Sequence, residues 1–180
     1  MKDRCSPSPC ASGERVGVRG VLLLALSLTA CAGPLKAAVA SDGTPLTLAI
    51  YFDRNTSQGK PDQVNQLFGF MEPDLHSVLL AAGYKLEQTN NPETFLPGPN
   101  RYLLIIRVVN YNPGSSAARM WVGFGAGAAQ LDTQHFLFAG PEQIVLQGTG
   151  SVASGRDWND AAMKINQQIS RDVTVALSPK

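Results

Sequence analysis

The sequence predicts an α/β domain of the α+β kind: one mixed, largely antiparallel sheet of about five strands, packed by two main amphipathic helices. Three observations carry that expectation. Segments 62–82 and 157–177 repeat apolar residues every three or four positions, the spacing of a helix face. Segment 101–110 (RYLLIIRVVN) is apolar on both faces, as a central strand is. Segments 130–138 and 143–152 alternate on either side of Gly140-Pro141-Glu142, as the strands of an antiparallel hairpin do.

The chain opens on a leader. Val21 to Cys31 reads VLLLALSLTAC, behind a flank holding Lys2, Arg4, Arg15 and Arg19 against Asp3 and Glu14. The apolar run is too short for a transmembrane helix, which takes about 20 residues. A basic flank, a short apolar run and small residues at its end describe a secretory signal. Leu28-Thr29-Ala30-Cys31 resembles the lipobox of bacterial lipoproteins. That resemblance implies a signal peptide over residues 1–30 and acylation of Cys31, palmitate included, which would anchor the chain to a membrane. Ala32, rather than Asp, follows the cysteine; in such lipoproteins this implies the outer membrane, facing the periplasm. Pro7, Pro9 and the length of the charged region leave a start of translation at Val16 or Val18 open.

Cys5 and Cys10 fall in the leader, so Cys31 is the only thiol of the expected mature chain and no disulfide is available to it. Without residues 1–30 the chain keeps 150 residues, with 11 Lys and Arg against 12 Asp and Glu. That is one domain of ordinary size. Near-neutral charge without basic blocks leaves no electrostatic footprint for nucleic acid, which is not expected as a partner.

Residues 31–45 (CAGPLKAAVASDGTP) are small, polar and turn-rich, and read as a lipidated tether; 46–180 is then a single globular domain. Leu46 to Phe52 is the first strand and 53–61 a loop. Asp62 to Ala82 is a helix with Val64, Leu67, Phe68, Met71, Leu75, Val78, Leu79 and Ala82 on one stripe. Pro73 should kink that helix or restart it, and Gly83 should end it. Tyr84 to Gln88 is a short strand, and 89–100, with three prolines, a loop. The central strand follows, interrupted only by Arg107, and then the turn-rich 111–118. After the hairpin, Asp157 caps a helix whose face is Trp158, Ala162, Ile165, Ile169, Val173 and Leu177.

Arg119 to Ala129 (RMWVGFGAGAA) admits several readings. As a dinucleotide fingerprint it fails, because Ala128 stands where the third glycine belongs and a strand pattern follows. As a membrane segment through Gly123 and Gly127 it is about half a helical span. The favoured reading is structural: Gly123, Gly125 and Gly127 allow a bulge, a sharp bend or a close backbone approach. A ligand role stays open, with an anion held by glycine amides beside Arg119.

This Arg-x3-Gly-Phe-Gly-Ala-Gly segment, followed by a hairpin and a terminal amphipathic helix, resembles a domain-of-unknown-function family of proteobacterial lipoproteins over roughly Leu103 to Leu177. It is also distantly similar to the periplasmic domain of the curli-secretion lipoprotein. Gly140-Pro141-Glu142 stands where that family usually has an acidic-Gly turn. The resemblance implies fold and location, and no catalytic residue.

Catalytic chemistry finds little footing. His76 lies beside its helix stripe and reads as solvated; His135, alternating with Leu131, Thr133 and Leu137, reads as partly buried in its strand. No ligand spacing for a metal, no nucleophile elbow and no phosphate loop is present, since Pro61 follows Gly59-Lys60. No cofactor is implied, and an enzyme is not expected. The expectation is a lipid-anchored, non-enzymatic envelope domain that binds another envelope protein or a cell-wall component. The alternatives are a subunit of an oligomeric outer-membrane export complex and an envelope hydrolase with no recognisable motif.

Overall fold

The computed structural model describes residues 40, 43–55, 60–115 and 127–178. Five strands form one sheet in the order β2-β1-β3-β4-β5: β1 is Thr47–Asp53, β2 Lys85–Gln88, β3 Arg101–Asn112, β4 Ala129–Gly140 and β5 Gln143–Ser154. β1 runs parallel to both neighbours, with Thr47 beside Lys85 and beside Arg101. β3, β4 and β5 are antiparallel in two longer ladders, one pairing Ile106 with His135 and the other His135 with Gly148. The mixed sheet with two helices is the predicted α+β architecture, and β3 is its middle strand as its two apolar faces require.

Helix α1 (Pro61–Ala81) links β1 to β2, and α2 (Trp158–Leu177) closes the chain. A parallel strand pair needs such a crossover. Both helices lie on one face of the sheet, because Leu67, Met71 and Leu75 of α1 and Ile165, Ile169 and Val173 of α2 share one core with Leu48, Leu104, Ile106, Leu131 and Leu137. Trp158 packs edge-on against Phe70 at 5.7 Å between ring centroids, tying the start of α2 to α1.

The helix ends follow the sequence. Pro61 sits at the start of α1, where its missing N–H costs nothing. Gly83, at φ +88°, ends the helix. Its N–H donates to the Leu80 carbonyl and that of Tyr84 to the Leu79 carbonyl, a Schellman closure. Asp157 caps α2 by accepting from the Asp160 N–H at 2.8 Å. Helix α1 runs continuously through Pro73 rather than restarting there. Pro73 and Gly69 are both exposed, so the carbonyl that the proline leaves without its helical N–H faces water.

The helix interface carries polar cross-links that period counting assigns to the outside. Asn166, wholly buried, donates to the Met71 carbonyl at 3.0 Å and to Asp74 Oδ2 at 2.8 Å. The Tyr84 hydroxyl, at the mouth of β2, donates to Thr174 Oγ1 at 3.2 Å. Asn166→Ala is expected to cost about 1–3 kcal/mol, since it strips a buried acceptor and a carboxylate of their donor. A urea midpoint that falls with unchanged slope would register it.

The folded body begins ahead of β1. Ala40 packs against the core, and Thr44 Oγ1 accepts from Asn100 Nδ2 at 2.9 Å. Part of the stretch read as tether therefore lies on the domain.

Candidate functional site

With both helices on one face, the other face of the sheet carries neither of them. Among the described residues the 92–95 segment lines a groove there with Leu103, which is buried. Strand alternation sends Leu104, Ile106 and Val108 to the core and Leu103, Ile105, Arg107 and Val109 to the helix-free side. Phe136 and Phe138 of β4 join them there, their ring centroids 6.4 Å apart. Toward the β4–β5 turn this surface is apolar and concave. A groove of about 290 Å³ lies between Pro92, Phe95, Leu103, Ile105, Phe138 and Pro141. Ile144, paired with Phe138 across the hairpin, extends the surface with 53% of its area exposed.

The opposite end of the same face is polar and internally satisfied. Asp132 accepts from Ser151 Oγ at 2.6 Å, Asn110 Nδ2 at 2.9 Å and Gln130 Nε2 at 3.1 Å. These donors, the Ser151 hydroxyl first, hold its carboxyl below the usual range. Nearer the middle, Arg107 Nε meets Asp53 Oδ2 at 2.7 Å. Both charges of β3 are thus paired, since Arg101 likewise meets Glu87, and the Arg107 side chain is half exposed.

A polar crevice of about 260 Å³ opens at the carboxyl ends of β1 and β2, lined by Tyr51, Arg54, Asn55, Glu72, Gln88 and Thr89 among others. Ligands of parallel sheets bind at such ends. Arg54 ion-pairs with Glu72 and lies over the Phe68 ring, 5.4 Å from its centroid. The paired charges cancel, so the crevice offers amides, a hydroxyl and a ring edge rather than a net charge.

His135 is a third polar feature, and the structure corrects its reading. It is wholly buried rather than partly so, facing α2 from the middle of β4. Its ring lies against Gly148 with Nε2 nearest, where a Cβ would overlap it. Nε2 is 3.1 Å from Asp172 Oδ2, yet off hydrogen-bonding alignment, and neither ring nitrogen has a hydrogen-bonded partner. Burial pushes its pKa below the usual 6.5, outweighing the pull of Asp172. The folded state thus resists a proton that the unfolded chain accepts. Stability is expected to fall as pH drops below about 6.5, by at most about 1.4 kcal/mol per pH unit from this site. Urea midpoints between neutral and mildly acidic pH would show the slope, and His135→Gln should flatten it. His76 is likewise not simply solvated: it is half-buried, with Nε2 shut off from solvent and unpartnered.

Of the residues singled out in the sequence, Cys31, Arg119, Gly123 and Gly125 lie outside the described residues. Gly127 is described. It has φ +71°, and its carbonyl accepts from the Ser115 N–H at 3.0 Å. A Cβ on Gly114 would overlap that carbonyl, so two glycines meet where β3 ends and β4 begins. The pairs Asp53–Arg107 and Arg54–Glu72 were missed. The signal for the first was Arg107 itself, the charge that interrupts an apolar stretch, and Asp53 is the buried partner of the two. Among the described residues no three His, Cys or carboxylate groups gather as a metal would need. None of the described helices is long and apolar enough to cross a membrane.

A search among curated proteins found no significant match. Among solved structures the chain is similar to a variant PelC dodecamer from Paraburkholderia phytofirmans. The two share 12% identity with a TM-score of 0.50, over 82% of this chain and 94% of that one. A second PelC dodecamer from the same organism gives 10% identity and a TM-score of 0.50, over 81% and 95%. At that identity the likeness concerns the fold. The profile of a family described as "Domain of unknown function (DUF4410)" matches residues 47–155, which take in all five strands and α1. The chain belongs to the DUF4410 family.

Proposed function

We propose that the protein is a lipid-anchored lipoprotein of the bacterial cell envelope, held at the outer membrane through acylated Cys31. Its domain binds another envelope protein or a cell-wall component and does not catalyse a reaction. The observation that carries the binding role is the helix-free sheet face. Ile105, Phe136 and Phe138 form a partly exposed apolar surface that runs into a groove, and the polar groups at its far end are satisfied among themselves. Exposed apolar surface of this kind marks a docking site more often than a catalytic one. The lipobox supports the anchor, the sequence carries no recognised nucleophile motif, and among the described residues no metal-binding cluster gathers.

Cross-linking of the tagged full chain in intact membranes tests the reading. One foreign protein or cell-wall fragment captured by wild type and lost in Phe138→Asp supports it; wild-type protein that captures nothing overturns it. Intact-mass analysis of native material tests the anchor, which fails if the leader is retained or no acyl mass is present. A second reading, a subunit of an oligomeric outer-membrane export complex, is favoured by the likeness to a dodecamer. A closed ladder of identical subunits would select it.

A further inference from the structure

The sheet has two edges, β2 with 4 residues and β5 with 12. A sheet edge presents backbone N–H and C=O groups that a further strand can pair. Natural edges are blunted by shortness, by charged side chains or by proline. β2 is protected in two ways: it is short, and it carries Lys85 and Glu87. β5 reads QIVLQGTGSVAS and has none of these devices, with no charge and no proline in its whole length. Ile144 and Val145 at its start are 53% and 37% exposed. A bulge interrupts its pairing with β4 beside Phe138, and Gln168 of α2 donates to the Thr149 carbonyl at 3.0 Å. Among the described residues no strand pairs with its outer side.

We propose that β5 is a self-association edge. Two copies pair their β5 strands antiparallel about a two-fold axis, joining their five-stranded sheets into one. The occupant is a second copy because the edge is complementary to itself. Around such an axis Gln147, Thr149 and Ser151, on the helix-free side, fall beside the same set of the other copy. Gly148, Gly150 and Val152, on the helix side, likewise meet their own kind. Along 146–152, clear of the bulge, polar therefore meets polar and apolar meets apolar, and the uncharged edge meets no like charge. The Gln168 contact is made by a flexible side chain and yields by rotation.

Magnitude sets the character of the pair. At most twelve residues pair, about 40 Å of strand, and a strip roughly 10 Å tall along them covers at most about 400 Å² per copy, half of what a standard stable interface buries. The dimer is thus concentration-dependent rather than permanent, and confinement to one membrane surface would raise its occupancy. This inference is independent of the foreign partner proposed above, since it concerns a different surface and a different readout.

Sedimentation velocity of the purified full chain in detergent, over a wide dilution series, tests it. The mass should climb from one chain to two with concentration. A Gln147→Lys, Thr149→Lys variant, with both changes at exposed positions, should dimerise at least about tenfold more weakly at an unchanged circular dichroism spectrum. The matching Gln147→Glu, Thr149→Glu variant should also stay monomeric alone, and mixing the two should restore the dimer. A single-chain mass at every concentration, self-association that the lysines leave untouched, or a mixture that fails to pair would each overturn the proposal.

Discussion

Ile165→Asp should leave the chain unable to fold. Ile165 sits in the middle of α2 with none of its surface exposed. Its Cδ1 lies so close to β5 that a Cβ on Gly150 would be 2.8 Å from it. A carboxylate placed there loses its hydration and finds beside Gly150 only the Thr133 hydroxyl as a neighbouring donor, far less than water supplied. Even after taking up a proton to escape ionisation, it forfeits the apolar contacts between helix and sheet. The combined penalty is several kcal/mol, against a total stability of about 5–15 kcal/mol for a domain of this kind. Ile165→Val keeps the shape nearly intact and should cost only about 1 kcal/mol. Far-ultraviolet circular dichroism and gel filtration separate the two variants. A soluble, monodisperse Ile165→Asp protein with a native spectrum would show that this face of α2 does not lie on the sheet.

Gly148→Val should be the most damaging change available on β5. Gly148 is the cross-strand partner of His135, and a Cβ at that position would overlap the imidazole. The ring cannot retreat, because α2 covers it and Asp172 stands 3.1 Å from Nε2. Overpacking of this sort costs about 1–3 kcal/mol, and the second branch of valine puts this case at the upper end. The cause can be isolated by a double-mutant cycle. His135→Ala removes the obstacle, so Gly148→Val on that background should cost less than half as much. Gly155→Ala is the control, since a Cβ there meets nothing within 4 Å. Equal costs for Gly148→Val with and without His135 would exclude the ring as the reason for the glycine.

The elements were legible because each is built on one repeating contrast of polar and apolar residues. Trp158–Leu177 and Lys85–Gln88 lie within a residue or so of their expected limits, and the hairpin turns at Pro141 and Glu142 as read. The parallel pairing of β1 with both β2 and β3 was not legible, since a strand's own pattern says nothing about its neighbours. The polar seam of the helix pair was hidden for a related reason. Asn166 and Thr174 count as outward residues by type, and only their partners Asp74, Met71 and Tyr84, far away in the chain, make them inward ones. His135 was placed on the correct face but not at its full depth, which depends on Gly148 beside it and α2 above it. The apolar groove could be seen only in part. That the strand 101–110 is apolar on both faces was evident, whereas the groove that its Leu103 and Ile105 form with Phe95 and Phe138 depends on strand order.

The position of β1 between β2 and β3 has a consequence for how the protein comes into being. The first strand to be synthesised has both its neighbours still to come, one beyond a 21-residue helix and the other beginning at Arg101. β4 and β5 meet through a turn at Pro141 and Glu142, a closure with little entropy to overcome. Order should therefore spread backwards through the chain: the carboxyl-terminal hairpin and α2 consolidate early, and the amino-terminal strand is sealed last, between partners that were made after it.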